Sequence, residues 1–294
     1  MEQLFQQLIN GISLGSIYAL IALGYTMVYG IINLINFAHG EIYMMGAYVG
    51  FALTTFLRLG FIPSLLISMA VCAVLGIVIE KVAYKPIRNS TRIAALITAI
   101  SVSLFLQYIM VYFVKPDTRT FPNILSDKKI TFFSGNVVMD VKNIYIIAIT
   151  IILMVALQYV IHKTKTGKAM RAVALDKDTA KLMGINVNRI ISYTFAIGSA
   201  LAGAAGVLVG VYYNTINPLM GVVPGLKAFV AAVIGGIGII PGAVFGGVFL
   251  GMTETVVSAY GGSIFKDAVA FAILIIVLLV RPNGLLGKNI KEKV

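Results

Sequence analysis

Residues Ile144–Ile161 read IYIIAITIILMVALQYVI, eighteen consecutive residues without a charge. A run of that length and composition crosses the hydrocarbon core of a bilayer as a helix, which takes about 20 residues. Ala268–Val280 has the same character. Working outward from these two, further apolar segments fall at Gly11–Ile32, Ile42–Leu57, Ile62–Ile79, Ile93–Phe113, Ile190–Tyr213, Lys227–Ile240 and Gly242–Val257, and the last run extends back to Ile264. The fold class that follows is all-α. We read a polytopic integral membrane helical bundle of about eight to ten membrane segments, with discontinuous or re-entrant elements, forming one transmembrane domain over residues 1–294.

Composition agrees. The 294 residues are 59% hydrophobic and 12% charged, where soluble domains run about 45–50% and about 25%. A soluble globule of 31.5 kDa has too little interior for that much apolar surface. Soluble enzyme, disordered tail and nucleic-acid binder are excluded on this ground, although the net charge is +12. The basic residues instead orient the chain. His162–Arg189 carries seven of them (Lys163, Lys165, Lys168, Arg171, Lys177, Lys181, Arg189) against Asp176 and Asp178. The connection after the third segment holds Lys81, Lys85, Arg88 and Arg92, and the tail holds Lys288, Lys291 and Lys293. All three are expected on the cytoplasmic side. The loop 114–143 is then extracytoplasmic, the N-terminus outside and the C-terminus inside. Within that loop the Thr-Phe-Phe and Val-Val-Met runs predict a small β-hairpin. The start, Met1-Glu2-Gln3-Leu4, lacks a basic n-region, so no cleaved signal peptide is expected. The lone Cys72 excludes an internal disulfide.

Two stretches read as breaks. Asn33–Glu41 places two Asn, one His and one Glu in an otherwise apolar region. Gly235-Gly236-Ile237-Gly238-Ile239-Ile240-Pro241-Gly242 interrupts a run whose two sides, Lys227–Ile240 and Gly242–Val257, each fall short of a full span. Non-helical backbone at membrane depth must be enclosed by protein or face water, and paired breaks point to a transport path. Asn36, His39, Glu41, Gly235, Gly236, Gly238 and Pro241 are therefore the candidate path residues. Glu254 and Asp267 are further ionisable groups within or beside apolar segments, where charge is costly. With His39 and His162 in different regions, no metal site is expected. Neither a G-x-x-x-x-G-K-[ST] phosphate loop nor G-x-S-x-G nor Cys-x-x-Cys occurs, so the chain reads as a non-enzyme that does not itself bind ATP. Small residues four apart in Ser199…Gly203, Ala202…Gly206…Gly210 and Gly242…Gly246 predict tight helix packing.

Lys168–Met183 is rich in helix formers and predicts a short helix on the cytoplasmic face, capped by Gly184. Asp178-Thr179-Ala180 followed by Gly184 resembles the Glu-Ala-Ala-x-x-x-Gly loop by which ABC-transporter permeases grip their ATPases, with Asp and Thr in place of two letters. A basic interfacial helix binding anionic lipid is the competing reading. Tyr18-Ala19-Leu20, Gly24-Tyr25-Thr26 and Asn36-Phe37-Ala38-His39-Gly40-Glu41 resemble the N-terminal signature of LivH-type permeases of branched-chain amino acid ABC importers. Lys181–Asn186, Leu226–Phe229, Gly235–Gly238, Pro241–Ala243 and Arg281–Gly287 are similar to later parts of the same family, in order. Ser101 departs from the Gly expected there.

The resemblance implies an inner-membrane permease, bacterial or archaeal, for leucine, isoleucine or valine. It implies a second related permease, two cytoplasmic ATPase subunits and an extracytoplasmic binding protein as partners, with alternating access as mechanism. Arg171, Asp178, Thr179, Ala180, Leu182, Met183 and Gly184 would form the ATPase-coupling surface. No cofactor is bound by this chain on that reading, ATP being held by the partner subunits. The alternatives are a permease for urea or short amides, and an ATP-independent secondary transporter or channel.

Overall fold

A computed structural model of the chain describes residues 2–32, 34–88, 90–125, 128–132 and 137–287. The tail lysines Lys288, Lys291 and Lys293, and Asn33 at the start of the first break, lie outside the described residues. Among the described residues, six helices are long and apolar enough to cross a membrane. They are α1 (Glu2–Ile32), α3 (Phe61–Ile79) with its continuation, α5 (Arg92–Val114), α6 (Val141–Lys163), α9 (Val187–Tyr213) and α11 (Ile240–Tyr260). Three shorter helices, α2 (His39–Thr55), α10 (Val222–Gly235) and α12 (Phe265–Val280), have 17, 14 and 16 residues. Between α3 and α5 lies α4 (Lys85–Ile87), and between α6 and α9 lie α7 (Lys165–Leu175) and α8 (Lys177–Leu182).

The centre is built on the apolar stretches of α1 and α9, which are hydrophobic all round and largely buried, as an all-round hydrophobic helix must be. Small residues set the helix spacing. A Cβ on Gly15 would stand 2.6 Å from the Cα of Val248, and one on Gly203 2.9 Å from the Sγ of Cys72. The small-residue rows of α9 therefore do what their spacing predicts, bringing α2 and α3 to backbone contact. At the periphery α3, α5 and α6 turn large apolar side chains outward, among them Val74, Phe105 and Ile152.

The two ends differ. At one, the hairpin expected in loop 114–143 forms from β2 (Lys129–Phe132) and β3 (Val137–Asp140), paired antiparallel. Gln6 near the start of α1 clamps that hairpin by two 2.8 Å bonds, donating to the carbonyl of Val138 and accepting from its amide. Beside it β1 (Arg119–Thr120) pairs with β4 (Thr215–Ile216) after α9. At the other end the basic segment 162–189 lies against the close of α1, where the ammonium of Lys177 donates to the carbonyl of Ile32 at 3.2 Å.

Three expectations are corrected. The third segment does not end at Ile79. It continues through a π-helical turn, Glu80–Tyr84, into α4, and that turn buries Glu80 against Arg88 and Ser192. The helix expected over Lys168–Met183 is two helices, because Asp176 leaves helical conformation at φ −154° and caps α8 with its carboxylate. The segment after the second break, expected to fall short of a full span, is a helix of 21 residues, long enough to cross. Pro241 sits in the first turn of α11, where its missing N–H is no loss, and the helix runs on to Tyr260.

Candidate translocation path and coupling surface

The first break is re-entrant. From Ile32, residues 34–38 are non-helical and carry the chain back into the bundle, so that α2 opens at His39 beside Gly24 of α1. Gly24 lies eight residues before Ile32, about 12 Å along the helix axis. A Cβ on Gly24 would collide with the imidazole, so that glycine is the notch in which His39 sits. The ring meets Tyr25 edge-on at 4.8 Å, and Tyr25 meets Phe229 of α10 at 5.8 Å. Asn36 accepts from the hydroxyl of Tyr84 at 2.9 Å. The polar residues of this stretch are thus enclosed by protein, as backbone at that depth requires. Glu41, in the first turn of α2, lines a cavity of about 190 Å³ between α2, α5 and α10.

The second break covers 236–239. Gly236 at φ +104° and Gly238 at φ +91° take conformations that side chains disfavour. The chain after α12 closes over this break, Leu285 donating to the carbonyl of Ile234 at 2.8 Å and Leu286 to that of Gly235 at 3.3 Å. Those bonds satisfy carbonyls that the end of α10 leaves open. Gly238 and Pro241 border a second cavity of about 880 Å³, which Gly30, His162, Arg171 and Asn283 also line.

The path residues named from sequence therefore separate. Gly238 and Pro241 share one cavity with Arg171, and Glu41 lines another. Asn36, His39, Gly235 and Gly236 line neither. They hold helix contacts, Gly235 lying backbone to backbone against Gly242.

In the basic segment, Thr164 caps α7 by accepting from Gly167 at 3.0 Å, and Arg171 donates to the carbonyl of Ile161, fixing α7 under α6. Asp176 accepts from the amides of Asp178 and Thr179 at 2.8 and 2.9 Å. Those backbone N–H groups, Thr179 foremost, hold its carboxyl below the usual aspartate range. Partial burial instead pushes the Lys177 ammonium down, with the nearby Arg88 charge adding to it. Gly184 closes α8 at φ +79°, as the sequence predicts. Ala180 faces inward, while Leu175, Leu182 and Met183 are 90%, 87% and 77% exposed. Asp178 and Thr179 are exposed beside them, and the Asp178–Lys181 pair at 2.9 Å adds little in water.

One cluster was not anticipated as a unit. Lys227 of α10 is buried and ion-pairs with Glu254 of α11 at 2.7 Å and Asp267 of α12 at 2.6 Å. The hydroxyl of Tyr18 donates to the other oxygen of Glu254 at 2.9 Å. Four helices thus meet at one charge network. Asp267 pairs with Lys227, not with its neighbour Lys266, whose ammonium stands 3.8 Å from Glu254. A lysine inside an apolar run is the signal by which this network was findable.

A family profile described as "Branched-chain amino acid transport system / permease component" matches residues 7–278. The chain belongs to this family. It is 46% identical over 303 aligned residues to the high-affinity branched-chain amino acid transport system permease protein LivH of Salmonella typhimurium, covering 98% of this chain and 97% of that one. It is 45% identical to BraD of Pseudomonas aeruginosa, a permease protein described in the same words, over 98% of this chain and 97% of that one. The solved structure of PsaBC from Streptococcus pneumoniae in complex with Fab shares the fold, with a TM-score of 0.50 and 14% identity over 93% of this chain and 91% of that one. The branched-chain amino acid permease is thus a multi-pass protein of the cytoplasmic membrane and one component of an ABC transport system.

Proposed function

We propose that this permease carries leucine, isoleucine or valine inward by alternating access, driven by separate cytoplasmic ATPase subunits that bind the ATP. The observation that carries the coupling is the arrangement of 162–189. Its outer surface offers Leu175, Leu182 and Met183 to a partner, while its root, Lys177, holds the last carbonyl of α1 immediately before the re-entrant stretch. A push on α8 is thereby applied next to the break that leads to His39 and Glu41. A second related permease covers the apolar periphery, and an extracytoplasmic binding protein delivers substrate at the end bearing the 114–143 hairpin. The path runs past Glu41 and past Gly238 and Pro241, beside the two discontinuities that Asn36, His39, Gly235 and Gly236 hold in place by helix contacts. The near full-length likeness to permease proteins of branched-chain amino acid transport systems supports the substrate class.

The test is uptake in reconstituted vesicles with and without the ATPase subunits, leucine competing against urea. ATP-dependent leucine uptake that urea does not inhibit is expected. Gly184→Val supplies the coupling arm. A Cβ there meets nothing within 4 Å, so the cost is backbone strain alone, about 1–2 kcal/mol for a side chain held left-handed. The variant is expected to insert normally and lose its ATPase on co-purification. Full retention with full transport refutes the docking role of α8.

A further inference from the structure

Resting on the reading that the path runs past Glu41, we propose that Glu41 is the site that receives the ammonium group of the transported amino acid. Among the described residues the buried carboxylates are Glu41, Glu80 and Glu254. Glu80 is paired with Arg88 and Glu254 with Lys227, but among the described residues no cation stands within ion-pair distance of Glu41. It is 1% exposed, and its Oε2 has no hydrogen-bond partner. The Ser103 side chain hydrogen-bonds the carboxyl, but a carboxylate taken out of water without a charged partner is costly, so its place in this fold calls for a cation from outside the chain.

The surroundings say what kind. The cavity that Glu41 lines, about 190 Å³, also carries Ser103 and Gln107 of α5. A carboxylate oxygen, a hydroxyl and an amide oxygen supply three acceptors, the number of N–H donors on a primary ammonium. A metal ion is a poor fit, since no group of three His, Cys, Asp or Glu forms among the described residues. Apart from Tyr25 the other walls are apolar, with Ile100, Leu104 and Leu226 placed to take an aliphatic side chain. Gly221 keeps this space open, for a Cβ there would stand 2.6 Å from Glu41 Oε2. A small aliphatic amine cation matches these walls, and urea, which has no charge, leaves Glu41 as unpaired as before.

The test uses the full complex in vesicles. Loss of a charge-assisted bond to a buried group predicts a fall in leucine uptake of roughly ten- to hundredfold in Glu41→Gln, with partial recovery in Glu41→Asp. In the wild-type complex, saturating leucine is expected to slow modification of Glu41 by dicyclohexylcarbodiimide, read by mass spectrometry, and 4-methylpentanoate, which differs from leucine only in lacking the ammonium, is not. The wild-type measurement decides the matter even where Glu41→Gln fails to accumulate. Leucine uptake by Glu41→Gln at the wild-type rate, or equal protection by both compounds, overturns the ammonium site. Ser103→Cys in a Cys72→Ala background separates this from the path itself. If a methanethiosulfonate placed there blocks uptake while Glu41→Gln transports normally, the ammonium site alone falls. If that modification leaves uptake untouched, the cavity is off the path and both readings fall.

Discussion

Replacing Lys227 by methionine keeps the length and apolar stem of the side chain and deletes only its charge. Glu254, 5% exposed at its side chain, then faces the interior without its 2.7 Å partner. Removing one member of a buried pair typically costs about 3–5 kcal/mol, because the survivor is an uncompensated charge. Two groups soften the loss here. The Tyr18 hydroxyl still donates to Glu254 at 2.9 Å, and Lys266 stands 3.8 Å away and half in the open. The lower end, about 3 kcal/mol, is therefore expected. Lys227→Met combined with Glu254→Met removes the buried stranded charge; Asp267, half in the open, also loses Lys227 but stays hydrated, and the Tyr18 hydroxyl loses its acceptor, a cost of about 1–3 kcal/mol. The double variant should thus be at least as stable as the single one. Cys72 provides the assay. It is the one cysteine in the chain and fully buried, so a thiol-reactive fluorogenic dye reports unfolding of the purified protein directly. A melting midpoint several degrees below wild type is expected for Lys227→Met, with part of the loss restored in the double variant. If Lys227→Met melted like wild type, or if the double variant fell by the sum of the two single losses, the four-helix network would not be the interaction described.

Gly238→Val should slow uptake while leaving ATPase retention intact. At φ +91° a β-branched residue is strained, yet the space is open, the nearest atom being the Cα of Gly30 at 3.7 Å. Normal uptake by this variant would make the second break a passive connection. Asp176 predicts a pH dependence. Its folded-state pKa is depressed, so its cap stabilises α8 above the unfolded pKa of about 4 and is lost as pH falls through the lower folded value. A spin label at Leu182→Cys in a Cys72→Ala background should report an ordered α8 at neutral pH that loosens only below about pH 4, and Asp176→Ala should loosen it at every pH. Order that persists unchanged in Asp176→Ala would remove the cap from the account.

Much of this was legible along the chain because it depends on local composition. An uncharged run the length of Ile144–Ile161 has few fates but a membrane helix, and the glycines and Pro241 announce a break wherever they interrupt such a run. The left-handed close at Gly184 follows from a glycine after a helix-forming stretch, and the paired strands 129–132 and 137–140 from the Thr-Phe-Phe and Val-Val-Met runs. Segment ends were less legible. Whether a helix stops at Ile79 or runs on through Glu80 depends on Arg88 and Ser192, one of them 112 residues away. Asp176 divides a stretch of good helix formers because its carboxylate caps the next helix, a choice propensity alone does not make. Partnership was not legible at all. Composition shows that His39, Glu41, Lys227, Glu254 and Asp267 are expensive in lipid, but a charge is satisfied by whatever stands within about 4 Å, and that is decided by how helices cross. The crossing sets Lys227 between Glu254 and Asp267, fits His39 into the notch at Gly24, and leaves Glu41 facing a cavity with no cation of its own.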